Sequence, residues 1–457
     1  MLGGFYLSFK GGSFSYGGKM QEIITQSLII LAVNFLFYAK TLKFEYVSDD
    51  VPSSQRPKEK GWIQWFWVFE GKLKSTPRID HAITTVLHSL VCVGIYLGFG
   101  SNDISFLAAL LFSFNPINNQ GSVWISGRGY VLSALGMVWA LVLPMEMGGL
   151  MLLGATYSNA GFLLPVILLG SSHPYLFIFA PLVWLYHWKR FKTNVGAKMT
   201  MELLPEDREW HPRKFMLVIK TFGIYLSHAI IPIKTTFYHS YLESIAGCKK
   251  ANAYTPCKFF WFGTASILLM AWYVIFHKWD IICFGVLWWC VGISPFVNLY
   301  RMQQELGERY VYVANIGLML ILAFYIHNNP YLVAGFLMMY ATKMWFFMDG
   351  YQNDFWMVEF ARMHQPKSWF AWHIAAMKRW EKQSYTEAVI FWVIARSLSP
   401  KEFKLLYNLA SSLMMLNNKK EAMELLAQAK TNIPRGQEKA CGEIIKNFEE
   451  GKVTILM

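Results

Sequence analysis

The stretch NPINNQGSVWISGRGY, Asn115 to Tyr130, lies between two long apolar segments, and its reading decides that of the chain. It holds a helix breaker (Pro116), three glycines (Gly121, Gly127, Gly129), five amide or hydroxyl side chains ahead of Trp124, and one cation, Arg128. A charged, glycine-flanked loop at the mouth of a membrane helix is costly unless it lines a polar cavity. It reads as one wall of a water-facing site. Composition alone would also allow an ordinary connecting loop.

The composition outside this stretch is that of a membrane protein. Of 457 residues, 54% are hydrophobic and only 16% charged, and the apolar residues come in long blocks. Nineteen Trp and 23 Tyr suit interfacial belts and equally a carbohydrate site. The net charge of +13 is spread over loops and the C-terminal region without a nucleic-acid motif, so no nucleic-acid partner is expected. Six scattered Cys lack metal-ligand spacing, and no metal site is read. Cys248 and Cys257 share a polar loop and would pair as a disulfide if that loop faces an oxidising compartment.

Met1–Lys19 lacks the continuous apolar stretch of a signal peptide. It reads as disordered or interfacial, or as sequence ahead of a true start at Met20. A first membrane helix is predicted over Ile23–Tyr38, acting as a signal anchor. The loop from Thr41 to Asp80 then carries FEYVSDDVP and the amphipathic WIQWFWVFEGKLK, which suits the membrane interface. Helices are predicted over His81–Phe99 and Ile104–Phe114. The block Val131–Trp188 holds one charge, Glu146, and room for three crossings, with Gly161, Pro165, Pro174 and Pro181 marking broken pieces. A charged loop, Lys189–Lys214, is followed by helices over Phe215–Ile231, Phe259–Phe276, Ile281–Val297, Val311–Ile326 and Tyr331–Met348. The count is about eleven. Basic residues do not settle orientation, because both long loops are basic. A signal anchor that leaves its N-terminus inside puts the first loop, and with eleven crossings the C-terminus, outside.

Beyond Asp349 a repeat emerges. Ala388, Ala395 and Pro400 recur as Ala422, Ala429 and Pro434, an interval of 34 residues each time. Trp372 and Leu406 keep the same phase, as do Trp392 and Leu426. Small residues where two helices cross, with a closing proline, form the tetratricopeptide pattern. The expected architecture is all-α: a polytopic membrane bundle over 20–348, then a repeat domain over 349–457. Its repeats span about 369–402 and 403–436, capped by a helix within Gly436–Glu450 and packed on the membrane domain at the other end.

Two further stretches hold candidate chemistry. Asp49 and Asp50 follow the first helix; one of them can keep a raised pKa, bind a cation, or serve as a general base. In SPFVNLYRMQQELGERYVYV, Ser294 to Val313, Glu308 and Arg309 stand at the start of a predicted helix. Arg309 there is a bidentate phosphate ligand or an interfacial anchor paired with Glu308. His88, on an apolar helix, fits an interior histidine as well as a ligand.

These residues resemble the membrane-bound GT-C glycosyltransferases, most closely the transmembrane and tetratricopeptide-repeat O-mannosyltransferase-like family, over roughly residues 20–435. An Asp-Asp pair follows the first helix (Asp49, Asp50). Pro77, Arg78 and His88 match a Pro-Arg and a downstream His at the second. The family's His-Pro-x-His-x-Glu-Ala-Val-x-Trp-Ile-x-Gly-Arg resembles NPINNQGSVWISGR. Its Pro-Phe…Asn…Glu-Arg-x-x-Tyr resembles Pro295, Phe296, Asn298, Glu308, Arg309 and Tyr312. The chain departs where the family has His, His and Glu, carrying Asn115, Asn118 and Gln120, and a family Lys-Glu pair is replaced near Ser172 and His173.

The resemblance implies inverting transfer of a sugar from a polyprenyl-phosphate donor to a hydroxyl of a protein or peptide acceptor. Asp49 or Asp50 would deprotonate the acceptor. Arg78, Arg128 and Arg309 would hold the donor phosphate, with His88, Asn118, Gln120, His173, Glu308 and Tyr312 in support. No metal is required, and the membrane would be a bacterial inner membrane or the endoplasmic reticulum. The neutral amides favour the alternative, a catalytically degenerate scaffold that assembles a complex through its repeats, whereas the Asp pair, Arg128 and the Glu308–Arg309 pair keep the enzymatic reading ahead. A flippase would need a charged route across the bilayer, against the nearly uncharged 131–188 block.

Overall fold

The computed structural model describes residues 16–48, 50, 76–157, 161, 163–193, 213–232, 256–299, 306–433 and 438–456. Asp49, the amphipathic segment within 51–75, Cys248 and Pro434 lie outside them. The described residues are all-helical, with no strand.

Four helices are long and apolar enough to cross a membrane: Lys19–Lys43, Pro77–Gly98, Lys258–Phe276 and Pro330–Tyr351. Shorter apolar helices pack among them. The helices used below are α1 (Tyr16–Tyr38), α2 (Pro77–Gly98), α3 (Asp103–Phe114), α4 (Arg128–Ala140), α5 (Met145–Met151), α6 (Ala180–Thr193), α7 (Arg213–Ile230), α8 (Lys258–Phe276), α9 (Ile281–Ile293), α10 (Asn315–Ile326) and α11 (Pro330–Met348). Local chemistry sets several starts. Pro77 opens α2 behind a Thr76 cap. Asn102 and Ser105 form a reciprocal capping box on α3, Asp280 caps α9, and Asn329 with Pro330 opens α11. The prediction that Pro77 and Arg78 precede the second helix is corrected: they form its first turn, as Pro does at position N1.

Among the described residues, the block Val131–Trp188, read as having room for three crossings in broken pieces, forms no helix long enough to cross a membrane alone. That block holds α4, α5, the 3-10 turns Leu152–Tyr157, Leu164–Gly170 and Pro174–Phe179, and α6, whose 14 residues make it the longest helix there. Pro165 and Pro174 each open a 3-10 turn, because proline is tolerated only in a first turn. Helix α8 turns Trp261, Leu268, Leu269, Ile275 and Phe276 outward, a surface suited to hydrocarbon. Where α9 crosses α10, a Cβ on Gly317 would lie 2.4 Å from the carbonyl oxygen of Gly285, the small-residue contact common between membrane helices.

The helix ends that matter gather on one face. The Tyr38 hydroxyl at the end of α1 donates to the Ser113 carbonyl near the end of α3 (2.7 Å). Tyr38, Met344 and Met348, the last two near the end of α11, share a buried cluster with Trp124. The segments beyond α1 and α11 also meet. Glu45 N–H donates to the Gln352 carbonyl (2.8 Å), Ser48 N–H to Asp354 Oδ1 (2.7 Å), and Lys40 pairs with Asp349 at 3.1 Å. The start of the first loop and the start of the C-terminal region therefore share a face.

The C-terminal region comprises α12 (Asp354–His364), α13 (Trp369–Glu381), α14 (Tyr385–Leu398), α15 (Phe403–Met415), α16 (Lys419–Lys430) and α17 (Glu438–Glu449). Trp369 and Phe403 open the first helices of two hairpins and Tyr385 and Lys419 the second, an interval of 34 residues in both cases. Ala388, Ala395, Ala422 and Ala429 are fully buried at the crossings. Phe448 of α17 packs edge-on to Tyr407, closing one end. At the other end Met357, Ala361 and Ala371 pack on Trp124 and Met348.

Buried between α13 and α14, His373 Nδ1 accepts from the Trp392 indole N–H (3.1 Å). Burial, helped by the charge of Lys404, lowers its pKa from 6.5 to about 3. A folded-state pKa below the unfolded one means that the unfolded chain takes up the proton first. Stability is then full above pH 6.5 and falls between about 6.5 and 3. At pH 5 the loss is about 2 kcal/mol, at ~1.4 kcal/mol per pH unit. Unfolding followed between pH 7 and 5 should show this slope, and His373→Gln should flatten it. An unchanged slope would remove His373 as its source.

Candidate functional site

The stretch from Asn115 to Arg128 folds as a compact plug. Asn115 Oδ1 accepts from Ile117 N–H (3.1 Å), and Pro116 opens a 3-10 turn. A single helical turn, Asn119–Ser122, and a second 3-10 turn, Ile125–Gly127, lead into α4. Its glycines permit close approach. A Cβ on Gly127 would lie 1.7 Å from the Gln120 carbonyl oxygen, and one on Gly121 2.3 Å from the Tyr312 ring.

The amides in the plug are fully buried. Asn115 donates to the Ala229 carbonyl at the end of α7 (2.8 Å), and Asn118 to the Phe112 carbonyl (2.7 Å) while accepting from Asn315 (3.1 Å). Gln120 Oε1 accepts from the Arg309 backbone N–H (3.2 Å), and Asn119 Oδ1 from the Tyr351 hydroxyl (2.9 Å). These groups knit the plug to α7, α10 and the junction after α11, and an amide can donate and accept at once, as an ionised carboxylate cannot.

Arg128 is buried in an ion pair with Asp80 (Nη2–Oδ1, 3.1 Å). The same guanidinium donates to the Asp80 carbonyl (2.8 Å) and to Thr84 Oγ1 (3.2 Å), while the Tyr46 hydroxyl donates to Asp80 Oδ2 (2.8 Å). Arg128, expected to hold an anionic ligand, is thus already matched by a carboxylate. Sequence reading did not single out Asp80. Its signal was present: an acid in the first turn of an otherwise apolar helix needs a partner.

Asp50 lies against the same plug. Its Oδ1 accepts from both Ser126 N–H (2.8 Å) and Ser126 Oγ (2.6 Å). Two residues earlier, the Trp124 ring lies 5.2 Å from the Arg309 guanidinium carbon, and the Tyr310 ring 4.9 Å from it. Arg309 Nη2 donates to the Tyr310 hydroxyl (3.3 Å), and Tyr310 stacks on Phe296 with centroids 4.7 Å apart. Arg309 Nη1 is buried and has no hydrogen-bond partner among the described residues, and no described carboxylate pairs with this guanidinium. Glu308, beside it, is buried. Both belong to a 3-10 turn, Glu308–Val311, ahead of α10 rather than to its first turn. That separation lets the Arg309 N–H meet Gln120.

The remaining expected residues divide. The Ser113 carbonyl, 3.4 Å from His88 Nε2, can only accept, which puts the ring proton there and leaves Nδ1 to accept from the Tyr312 hydroxyl at 2.6 Å. His88 and Tyr312 are thus a satisfied interior pair. Arg78 is exposed in the first turn of α2, whereas Asp80, two residues on, points inward and is buried. His173 is not gathered with the others. Leu176, three residues on, packs near Gly148, itself against the Ala140 carbonyl at the far end of α4. The 13 residues of α4 put Arg128 and Ala140 about 18 Å apart, at about 1.5 Å per residue. Ser172 Oγ lies 2.8 Å from His173 Nδ1.

The site is thus a neutral, amide-tied plug with Asp50 bonded at Ser126 and Arg309 set among aromatic rings beside Trp124. Compared with protein-family models, curated proteins and solved structures, the chain matches none.

Proposed function

We propose that this chain is a membrane glycosyltransferase that moves a sugar from a polyprenyl-phosphate donor to a hydroxyl of a protein or peptide acceptor on the extracytoplasmic side. The observation that carries the reading is Arg309: a guanidinium with an unpartnered buried Nη1, no paired carboxylate among the described residues, and aromatic rings around it. Such a cation suits an anionic group, and the rings suit a sugar or prenyl face. Asp50, attached through Ser126 to the same plug, supplies a base. In the proposed step the acceptor O–H gives its proton to Asp50, or to the adjacent Asp49. The oxygen attacks the anomeric carbon, the C–O bond to phosphate breaks, and Arg309 stabilises the departing polyprenyl phosphate. Arg128 positions the plug through Asp80, and Arg78 stands at the rim. The helix hairpins that repeat every 34 residues, read as tetratricopeptide repeats, hold the acceptor on the same face.

Asp50→Asn tests the base. Transfer from a panel of polyprenyl-phosphate hexoses should fall about a hundredfold, within the range of general-base contributions, with helical content unchanged. Undiminished transfer would remove Asp50 from the reaction.

A non-catalytic scaffold is favoured by one specific observation: Asn115, Asn118 and Gln120, which replace titratable residues in the resembling family, all make structural bonds. That reading expects the parent chain to transfer no sugar from any donor in the panel.

A further inference from the structure

Ser48 stands two residues before Asp50 and holds a left-handed backbone, with φ of +59°. A side chain strains that conformation where glycine would not. Such strain persists only where the surroundings hold it, and it gathers at functional sites. The turn closes on itself around Asp50. Asp50 N–H donates to the Val47 carbonyl (3.0 Å), and Val47 N–H donates to Asp50 Oδ2 (3.3 Å). The other carboxylate oxygen of Asp50 is thereby left for Ser126.

What holds Ser48 comes from the C-terminal region. Its N–H donates to Oδ1 of Asp354, in the first turn of α12 (2.7 Å). The second oxygen, Asp354 Oδ2, pairs with Lys378 Nζ of α13 (2.9 Å), and Lys378 also meets Glu381 (3.2 Å). Lys378 thus turns the Asp354 carboxylate so that its free edge faces Ser48. Val47 is buried in one cluster with Met357, one turn along α12, and with Trp124 of the plug. The Asp354–Lys378 pair is partly exposed, so it adds little to global stability. Asn353 caps α12 without it. What these two bonds specify is the geometry of the turn that carries Asp50.

We propose that Asp354, oriented by Lys378, is a positioning residue for Asp50: it holds Ser48 left-handed and so keeps the Asp50 carboxylate seated on Ser126. The C-terminal region then completes the transfer site as well as holding the acceptor. For its effect on turnover the proposal rests on the reading of Asp50 as the base. Its effect on the turn is read without turnover.

The test compares the detergent-purified full chain with three variants: Asp354→Ala, Lys378→Met, and Asp354→Ala combined with Ser48→Gly. Hydrogen exchange at the Ser126 amide reports whether Asp50 is still seated on it. Asp354→Ala should speed that exchange at least tenfold and lower turnover at saturating donor at least tenfold, with the donor KM changed less than twofold. Lys378→Met should act in the same direction, less strongly. Ser48→Gly should bring Asp354→Ala back to within about threefold of the parent in both readouts, because glycine adopts a positive φ unaided. Loss of a merely structural contact at Asp354 would not be repaired there. Unchanged Ser126 exchange in Asp354→Ala and Lys378→Met, loss of helical content in either, or no recovery with Ser48→Gly would overturn the proposal. If the exchange changes and recovers as expected while no protein of the set, parent included, transfers sugar, the placement of Asp50 by Asp354 stands and the transfer reading falls.

Discussion

Arg309→Ala is expected to lower polyprenyl-phosphate-dependent transfer about a hundredfold, the usual result of losing one contact to charge that develops in a transition state. Folding should survive. The guanidinium bonds only to the hydroxyls of Tyr130 and Tyr310 among the described residues, neither of them a charge partner, and its backbone N–H still reaches Gln120 in the variant. Arg309→Lys should recover only part of the activity, because a lysine returns the charge without the planar fork that meets two phosphate oxygens and packs on aromatic rings. Turnover measured at saturating and limiting donor separates the roles. A defect confined to limiting donor would make Arg309 a binding residue rather than one that stabilises the leaving group.

Asp80→Ala is expected to destabilise the membrane region by about 3–5 kcal/mol, the usual cost of stranding one member of a buried ion pair. Arg128 is buried and would keep its hydrogen bonds to Thr84 Oγ1 and the Asp80 main-chain carbonyl but lose its carboxylate. The double change Asp80→Leu with Arg128→Met should recover much of that loss, because it removes both charges together. Thermal unfolding in detergent gives the readout: a marked fall for the single variant and a smaller one for the double. Equal falls would mean that each side chain contributes through packing alone. A single variant that unfolds like the parent would deny the pair a structural role.

Much of the helical plan was legible because it depends on local pattern. The apolar runs that become α2, α3, α8, α9, α10 and α11 announce themselves by length, and the 34-residue phase of Ala388 with Ala422 needs nothing beyond the chain's own spacing. In the block from Val131 to Trp188 the breaks at Pro165 and Pro174 were legible, but its apolar content could not reveal that the pieces they open would be 3-10 turns. The site was legible as a list of polar residues and opaque as a set of partnerships. Arg128 and Arg309 are both lone cations in apolar surroundings, yet one is matched by a carboxylate 48 residues earlier and the other by none among the described residues. Only folding distinguishes them. His88 and Tyr312 illustrate the same limit: 224 residues apart, they satisfy each other in the interior. Likewise nothing in the sequence around His173 shows that Leu176, three residues on, packs near Gly148 at the end of α4 away from Arg128.

Whether Arg309 holds the phosphate of a lipid-linked donor is read by native mass measurement of the purified chain and its Arg309→Ala variant, each incubated with polyprenyl phosphate. The parent should carry one bound lipid and the variant should lose most of that occupancy. Equal occupancy of the two proteins, or no bound lipid on the parent, would remove Arg309 as the phosphate-holding residue.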